Sequence, residues 1–371
     1  MTDAPKDRSL RRGWTTGACA TAATRAAFEA LVTGAPPPDP VEIALPSGRR
    51  VAFALAEFAR GPDFARAGVV KDAGDDPDVT HGALVRATVR RAAPGTGVSF
   101  LAGEGVGTVT RPGLPLGPGE PAINPVPRRM MAEAIAEAAQ KLGVEADAKI
   151  EISIPHGAEM AKHTLNGRLG IVGGLSILGT TGVVTPFSCA AWIDSIHRGV
   201  DVARASGLVH LAATTGSTSE AAVQKLYGLP DAALIEMGDF VGGFLKYLRT
   251  HPVARVTIGG GFAKMAKLAQ GRLDLHSGRS TLDLAELAET ARAAGADGET
   301  QARIRHANSA LDALLIARAE GVDLAAPVAR SAFATAARAL GAACESELQI
   351  MVFDREGGLL AQTPFKRACD A

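Results

Sequence analysis

Residues 169–184 read LGIVGGLSILGTTGVV, and this stretch decides how the rest of the chain is read. Ile171 and Val172 are β-branched and apolar, as a buried strand requires. They run directly into Gly173 and Gly174, where the backbone can turn through conformations closed to other residues. A second glycine turn follows at Gly179 and Gly182. Ser176, Thr180 and Thr181 set small hydroxyls beside turn N–H groups, a combination that suits a polar ligand held close to the main chain. The plainer role is a tight turn in a packed core. Gly174 to Thr181 imitates the phosphate loop GxxxxGK[ST], but Thr180 stands at the lysine position and Leu175, Ile177 and Leu178 are apolar, so an ATP-hydrolysing loop is excluded. The GxGxxG spacing of a plain NAD fingerprint is absent too. A helix is predicted next, capped by Thr185, with Pro186 at its first position and Trp192, Ile196, Val200 and Ala203 on one face as far as Gly207.

Downstream, strand and helix patterns alternate: strands at 208–214, 233–237 and 255–258, helices at 217–226, 240–249 and 262–270. Such alternation specifies a parallel sheet covered by helices, with ligands at the carboxyl ends of its strands. Three loops end there besides the opening one. They are TTGSTSE, where Ser217 and Glu220 read as a capping box; EMGDF; and GGGFAKMAK, where three glycines precede Lys264 and Lys267 as an anion grip. Residues 282–340 read as alanine-rich amphipathic helices, followed by strands at 347–353 and 358–362. Packing is their default role.

Upstream, GWTTGACATAATRAAFEA reads as a capped, alanine-rich helix whose exposed Thr15, Thr16 and Gly17 could hold an anion, ordinary capping being the simpler role of either threonine. VEIALPSGRRVAFALAEF alternates around Pro46-Ser47-Gly48 as a β-hairpin. In KDAGDDPDVTHG, Asp72, Asp75, Asp76, Asp78 and His81 crowd one loop behind Lys71. The spacing fits no calcium loop, and turn formation alone would account for the aspartates. Held together, carboxylates cannot all ionise cheaply, so Asp72, Asp75, Asp76 and His81 are the candidate proton acceptors or donors, at least one carboxyl having a raised pKa. The prolines from Pro112 to Pro127 forbid regular structure before a helix at 128–142, and Asn124, Arg128 and Arg129 close that long loop. The expected fold class is α/β. An α+β domain occupies 1–148, and a Rossmann-like parallel α/β domain with C-terminal helices and a terminal strand pair occupies 149–371.

Composition bounds the function. The 371 residues suffice for two domains with ample core. Lys plus Arg balance Asp plus Glu at 39 each, and aromatics are 4%, so nucleic acid is not an expected partner. Short, interrupted apolar runs argue against a membrane span, and the polar N-terminus argues against a signal peptide. The four cysteines show no CxxC or metal-ligand spacing, consistent with reduced thiols in a cytoplasm and with no protein-bound metal. A homo-oligomer stays open.

Taken together, GWTTGACA, VVKDAGDDPDVTHG, GEGVGTVTRPGLP with PAINPVPRRM, and above all HTLNGRLGIVGGLSILGTTGVV resemble the cobalt-precorrin-5B C1-methyltransferases of cobalamin biosynthesis, the CbiD family. The likeness nearly fills the first half. The second half departs from the family pattern: Ser217 and Thr218 stand where it has Asn, MGDF replaces MGNF, GGGFAK replaces a GHxGK-like segment, and LHS replaces THS. The resemblance implies an S-adenosylmethionine-dependent enzyme that methylates C1 of a polycarboxylate corrin precursor, giving a cobalt-precorrin-6A-type product. That chemistry needs alignment and charge stabilisation, and no protein nucleophile. Cofactor binding then falls to Gly173, Gly174, Ser176, Gly179, Thr180 and Thr181. Substrate binding falls to Thr15, Thr16, Lys71, Asn124, Arg128, Arg129, Lys162, Arg168 and Lys264. A nucleotide-binding phosphotransfer or non-catalytic protein is the competing class, and a pure scaffold the third.

Overall fold

In the computed structural model, which describes residues 10–370, the chain divides into two compact units, one ending at Ser188 and one beginning at Cys189. The first runs β1 (Gly13–Trp14), α1 (Thr16–Thr33), β2 (Val41–Ala44), β3 (Arg50–Phe53), β4 (Glu57–Arg60), β5 (Phe64–Val70), β6 (Leu84–Arg91), β7 (Val98–Ala102), β8 (Thr108–Val109), α2 (Pro125–Leu142), β9 (Ala148–Ser153), α3 (Gly157–Ala161), β10 (Ile171–Val172) and β11 (Val183–Val184). β2 and β3 form the expected hairpin, with Val41, Ile43, Val51 and Phe53 buried and the alternate residues exposed. A five-stranded sheet has the order β4-β5-β6-β9-β7, antiparallel except where β9 meets β7. α1 lies across β5 and β6 and against α2, and 14 of its 18 residues are buried, so it is central rather than peripheral. Alanine makes this approach possible, because its side chain lets neighbouring backbones come close while keeping high helix propensity.

β9 corrects the expected domain boundary. Its alternate residues Ile150 and Ile152 complete the core of the first sheet, while β10 pairs with β8 and β11 with β1. Residues 149–188 therefore belong with the N-terminal unit. β10 is a two-residue ladder on β8, and Val172 is exposed, so it is not the first strand of a parallel sheet. The helix expected from Thr185 starts instead at Cys189. The chain first turns at Phe187 (φ 55°), whose N–H is held by Asp76 Oδ1 at 2.9 Å.

The second unit runs α4 (Cys189–Ala205), β12 (His210–Thr214), α5 (Ser217–Tyr227), β13 (Leu234–Glu236), α6 (Val241–Leu248), β14 (Arg255–Gly261), α7 (Phe262–Ala269), α8 (Leu284–Ala293), α9 (Gly298–Arg305), α10 (Ala310–Ala319), α11 (Ala325–Leu340), β15 (Glu347–Phe353), β16 (Leu359–Gln362) and β17 (Lys366–Arg367). Its sheet has the order β13-β12-β14-β15-β16. The first four strands are parallel, and β16 and β17 run antiparallel to β15. Ile196, Val200 and Ala203 of α4 are buried as expected, whereas Trp192 is exposed. Gly259–Gly261 are the end of β14 rather than a loop. Among the described residues no helix is long and apolar enough to cross a membrane.

The first unit is drawn together by glycine-to-backbone contacts. A Cβ on Gly174 would lie 2.3 Å from the Gly105 carbonyl, and one on Gly105 would lie 2.0 Å from the Ile154 oxygen. Overpacking of this kind typically costs about 1–3 kcal/mol. Gly174→Ala is expected to lower the urea midpoint at unchanged slope; a wild-type midpoint would show that these loops are not packed in this way.

Candidate functional site

The stretch 169–184 has no sheet of its own and satisfies its backbone on other loops. Leu175 donates to the Gly105 carbonyl at 2.9 Å and accepts from Gly107 at 2.8 Å. Ile177 donates to Ala122 at 2.7 Å and accepts from Asn124 at 2.9 Å. Leu178 accepts from the Gly17 N–H at 3.0 Å and donates to Thr16 Oγ1 at 3.1 Å. Gly182 accepts from Thr15 at 3.1 Å, just ahead of the β1–β11 pair. Asn166, buried and not anticipated from the sequence, locks the turn from inside: its Nδ2 donates to the Gly174 carbonyl at 3.0 Å, and its Oδ1 accepts from Ser176 Oγ at 3.4 Å. The only sequence signal for it was its place in HTLNGR.

This geometry reassigns several expected site residues. Gly174 and Gly179 are glycines because protein occupies the space a Cβ would need, Gly105 in one case and the Thr15 side chain at 2.4 Å in the other. Thr15 caps α1 by accepting from Ala18 N at 3.1 Å, and both Thr15 and Thr16 are buried, so neither presents an anion site. Lys71 is 1% exposed and is bonded to Asp78 and to Thr80 Oγ1, which removes it from any substrate surface. Arg128 spends its guanidinium on the Ile123 and Pro121 carbonyls, at 2.7 and 3.0 Å, and on Glu120 at 2.7 Å. Lys264 pairs with Asp239 and donates to the Leu275 carbonyl at 3.2 Å, and it belongs to the second unit. Lys267 is likewise turned inward, onto the Leu275 and Ser280 carbonyls.

The acidic loop does not hold a raised carboxyl at Asp72 or Asp78. Asp72 bonds the Arg11 guanidinium and accepts from Gly74 N at 2.9 Å, and these hold its carboxyl down at about 2. Burial pushes the Asp78 carboxyl up, but Lys71 and Thr80 outweigh it and the net direction is down. Asp75 accepts from the Arg11 N–H at 2.6 Å, and Asp76 holds Phe187. Charge is neutralised here by local partners rather than concentrated. His81 accepts from Ala73 N through Nδ1 at 3.1 Å, which leaves the neutral ring's proton on Nε2 at an exposed position.

Several candidates remain open. Gly173 faces open space, and Thr180 and Thr181 are exposed. The Asn124 amide caps α2 by position but makes no cap bond. Arg129 and Lys162 are exposed, and among the described residues their carboxylate partners are i,i+4 and i,i+3 neighbours on their own helix or turn. Arg168 accepts from Arg111 Nη1 through its carbonyl. Among the described residues no three His, Cys, Asp or Glu side chains gather where they could hold a metal ion.

In the second unit Gly216, not Ser217, is the N-cap of α5, and Ser219 Oγ donates to its carbonyl at 2.8 Å. Beside it, Glu236 ends β13 exposed and without an ion pair or side-chain hydrogen bond among the described residues. Sequence reasoning passed over it, although it stands twenty positions after a strand-ending glycine loop, from 216 to 236.

Two family profiles match the chain, CbiD over residues 3–186 and the CbiD C-terminal domain over residues 274–364. Proteins named cobalt-precorrin-5B C(1)-methyltransferase are similar over nearly the whole chain. The one from Methylorubrum extorquens is 63% identical, covering 95% of this chain and 97% of the relative; the one from Bradyrhizobium sp. is 62% identical, covering 96% and 95%. This chain belongs to the CbiD family. The first profile ends close to Ser188, where the first compact unit ends. A crystal structure of a cobalamin biosynthesis protein (cbiD) from Archaeoglobus fulgidus is 28% identical, covering 73% of this chain and 83% of that one, with a TM-score of 0.39.

The Arg11–Asp72 pair makes a pH prediction. Because the folded-state carboxyl lies below its ordinary 3.8, the stability it contributes is fully present above that value and is lost as pH falls toward about 2. Asp72→Asn is expected to flatten that part of the acid-unfolding curve; an acid limb identical to wild type would contradict the pairing.

Proposed function

We propose that the chain is an S-adenosylmethionine-dependent C-methyltransferase that methylates C1 of cobalt-precorrin-5B to give cobalt-precorrin-6A. One observation carries this: identity above 60% across 95–97% of the length of relatives bearing that enzyme name. When bound, S-adenosylmethionine supplies an electrophilic methyl group on a sulfonium. The protein's part is to align donor and acceptor, exclude water and steady charge on the macrocycle. No protein nucleophile is needed.

In the first unit the surface left to a ligand is polar with apolar neighbours. Gly173, Ser176, Thr180, Thr181 and the Asn124 amide border the exposed side chains of Val172 and Leu178, a mixture that fits a ring with an apolar face and a polar rim. Arg129 and Lys162 are the cations we assign to the substrate's carboxylates, their present partners being exposed and weakly held. The exposed Nε2–H of His81 is the hydrogen-bond donor we assign toward the substrate's polar rim, with Asp75 and Asp76 holding the loop in place. Asp72 acts through that same scaffold. The phosphotransfer alternative is not retained, since the stretch 169–184 lacks the lysine such chemistry needs and has its central backbone N–H groups bonded to protein.

Incubating the purified chain with cobalt-precorrin-5B and S-adenosylmethionine carrying a ¹³C-methyl group is expected to give one new methyl resonance, on C1. Methyl transfer to another carbon, or none, would contradict the assignment.

A further inference from the structure

We infer that the adenosyl moiety of the methyl donor is held in the second unit, at the carboxyl ends of β13, β12 and β14, with the Glu236 carboxylate taking the ribose diol. The inference rests on the methyltransferase reading and adds to it the place where the donor binds.

The topology makes the crevice. From β12 the chain crosses through α5 to β13 on one side, then through α6 to β14 on the other, so the strand order reverses at β12. The covering helices divide accordingly. Val223 of α5 packs with Ala212, Leu234, Met351 and Phe353 on one face, while Phe244 of α6 and Met265 of α7 pack on the opposite face. Where successive connections leave to opposite faces, the loops beyond the strand ends part, and open parallel sheets bind ligands there. Two bonds fix the mouth: Thr215 donates to the Gly259 carbonyl at 3.0 Å, and Gly238 donates to the Thr214 carbonyl at 3.2 Å.

Three features at this mouth are unexplained by the fold alone. Gly216 (φ 173°, ψ 169°) and Gly261 (φ −64°, ψ 152°) have backbones open to any residue, and a Cβ on either would meet nothing within 4 Å. The fold therefore does not require glycine at either position, whereas a ligand pressed against the main chain does. The Thr214 hydroxyl, on the last residue of β12, is fully buried and has no hydrogen-bond partner among the described residues. An unmet buried hydroxyl is costly, and a polar ligand atom or water would satisfy it.

The third feature is Glu236. It stands opposite Thr214 in the β12–β13 register. Leu234 enters the α5-side cluster and Ile235 the cluster on the other face, so alternation puts Glu236 on the α5 side with Thr214. A ribose presents two hydroxyl donors, and an unpaired carboxylate presents two acceptors to match them. Other adenine nucleosides share that diol, so the test must separate them from the methyl donor.

The test is calorimetric titration of the full chain with S-adenosylhomocysteine, its 2′-deoxyribose analogue, ATP and NAD. Wild type is expected to bind S-adenosylhomocysteine in preference to ATP and NAD. Glu236→Gln, at an exposed position, is expected to weaken S-adenosylhomocysteine binding by roughly ten- to a hundredfold, the range of a charge-assisted hydrogen bond, and to weaken the deoxy analogue, which keeps one of the two hydroxyls, by a smaller factor. Gly216→Val is expected to abolish binding with an unaltered thermal midpoint. Wild-type affinity in Glu236→Gln, or loss of binding only in Ser176→Ala or Thr180→Val, would overturn the inference while leaving the methyltransferase reading intact. A wild-type chain that binds ATP or NAD but not S-adenosylhomocysteine would overturn both.

Discussion

The first unit depends on one constraint: the backbone of residues 169–184, which has only the two-residue pairs β10–β8 and β11–β1, must find the rest of its hydrogen-bond partners on other loops. Buried N–H and C=O groups left unpaired are expensive, and this stretch is too interrupted by glycine to form a long strand. It solves the problem by running past residues 105–107, 122–124 and 13–17 in turn and bonding to each. Gly105 and Gly174 touch backbone to backbone, and Gly179 lies against Thr15. Three loops that the chain makes far apart are thus held by a fourth. The small residues that make the stretch look like a ligand loop are in large part the means by which protein segments reach one another.

That requirement also explains why so much polar chemistry in the first unit is unavailable for a ligand. Thr15 and Thr16 are consumed in seating the helix start against Leu178 and Gly182. Asp75 and Asp76 anchor segments distant in sequence, at Arg11 and Phe187. Lys71 is buried beneath its own loop with Asp78; burial pushes the nearby Cys19 thiol up to about 12, opposed in part by the Lys71 charge. What remains outside is a limited set of side chains with exposed polar atoms and weak partners, and these carry the proposed substrate contacts.

The fold was legible in the sequence wherever one period dominated. The hairpin at 41–53, the alternation of strands and helices from β12 to α7, and the terminal strands followed directly from apolar spacing. The family was legible because long strings such as HTLNGRLGIVGGLSILGTTGVV carry more information than any single motif. Pairing partners were not legible. Nothing in Ile171-Val172 says that its neighbour is Thr108-Val109, and nothing in the alternation of 148–153 says which sheet it completes, so the boundary was set too early. Charged residues misled for a related reason: a lysine beside aspartates reads as a binding cluster until burial shows that the charges already satisfy one another. Glu236 escaped notice because a single exposed glutamate at a strand end has no local signature. Its meaning comes from Thr214 on the neighbouring strand and Gly216 at the start of the helix that follows it.

Amide hydrogen exchange across residues 169–184 tests the central claim most directly. If this stretch is the tie that holds the first unit together, the N–H groups of Leu175, Ile177 and Leu178 and their partners at Gly107 and Asn124 should exchange only through global opening, as slowly as the interior of α1. Exchange of these amides through local opening, well ahead of α1, would contradict it and return the stretch to the status of a surface loop.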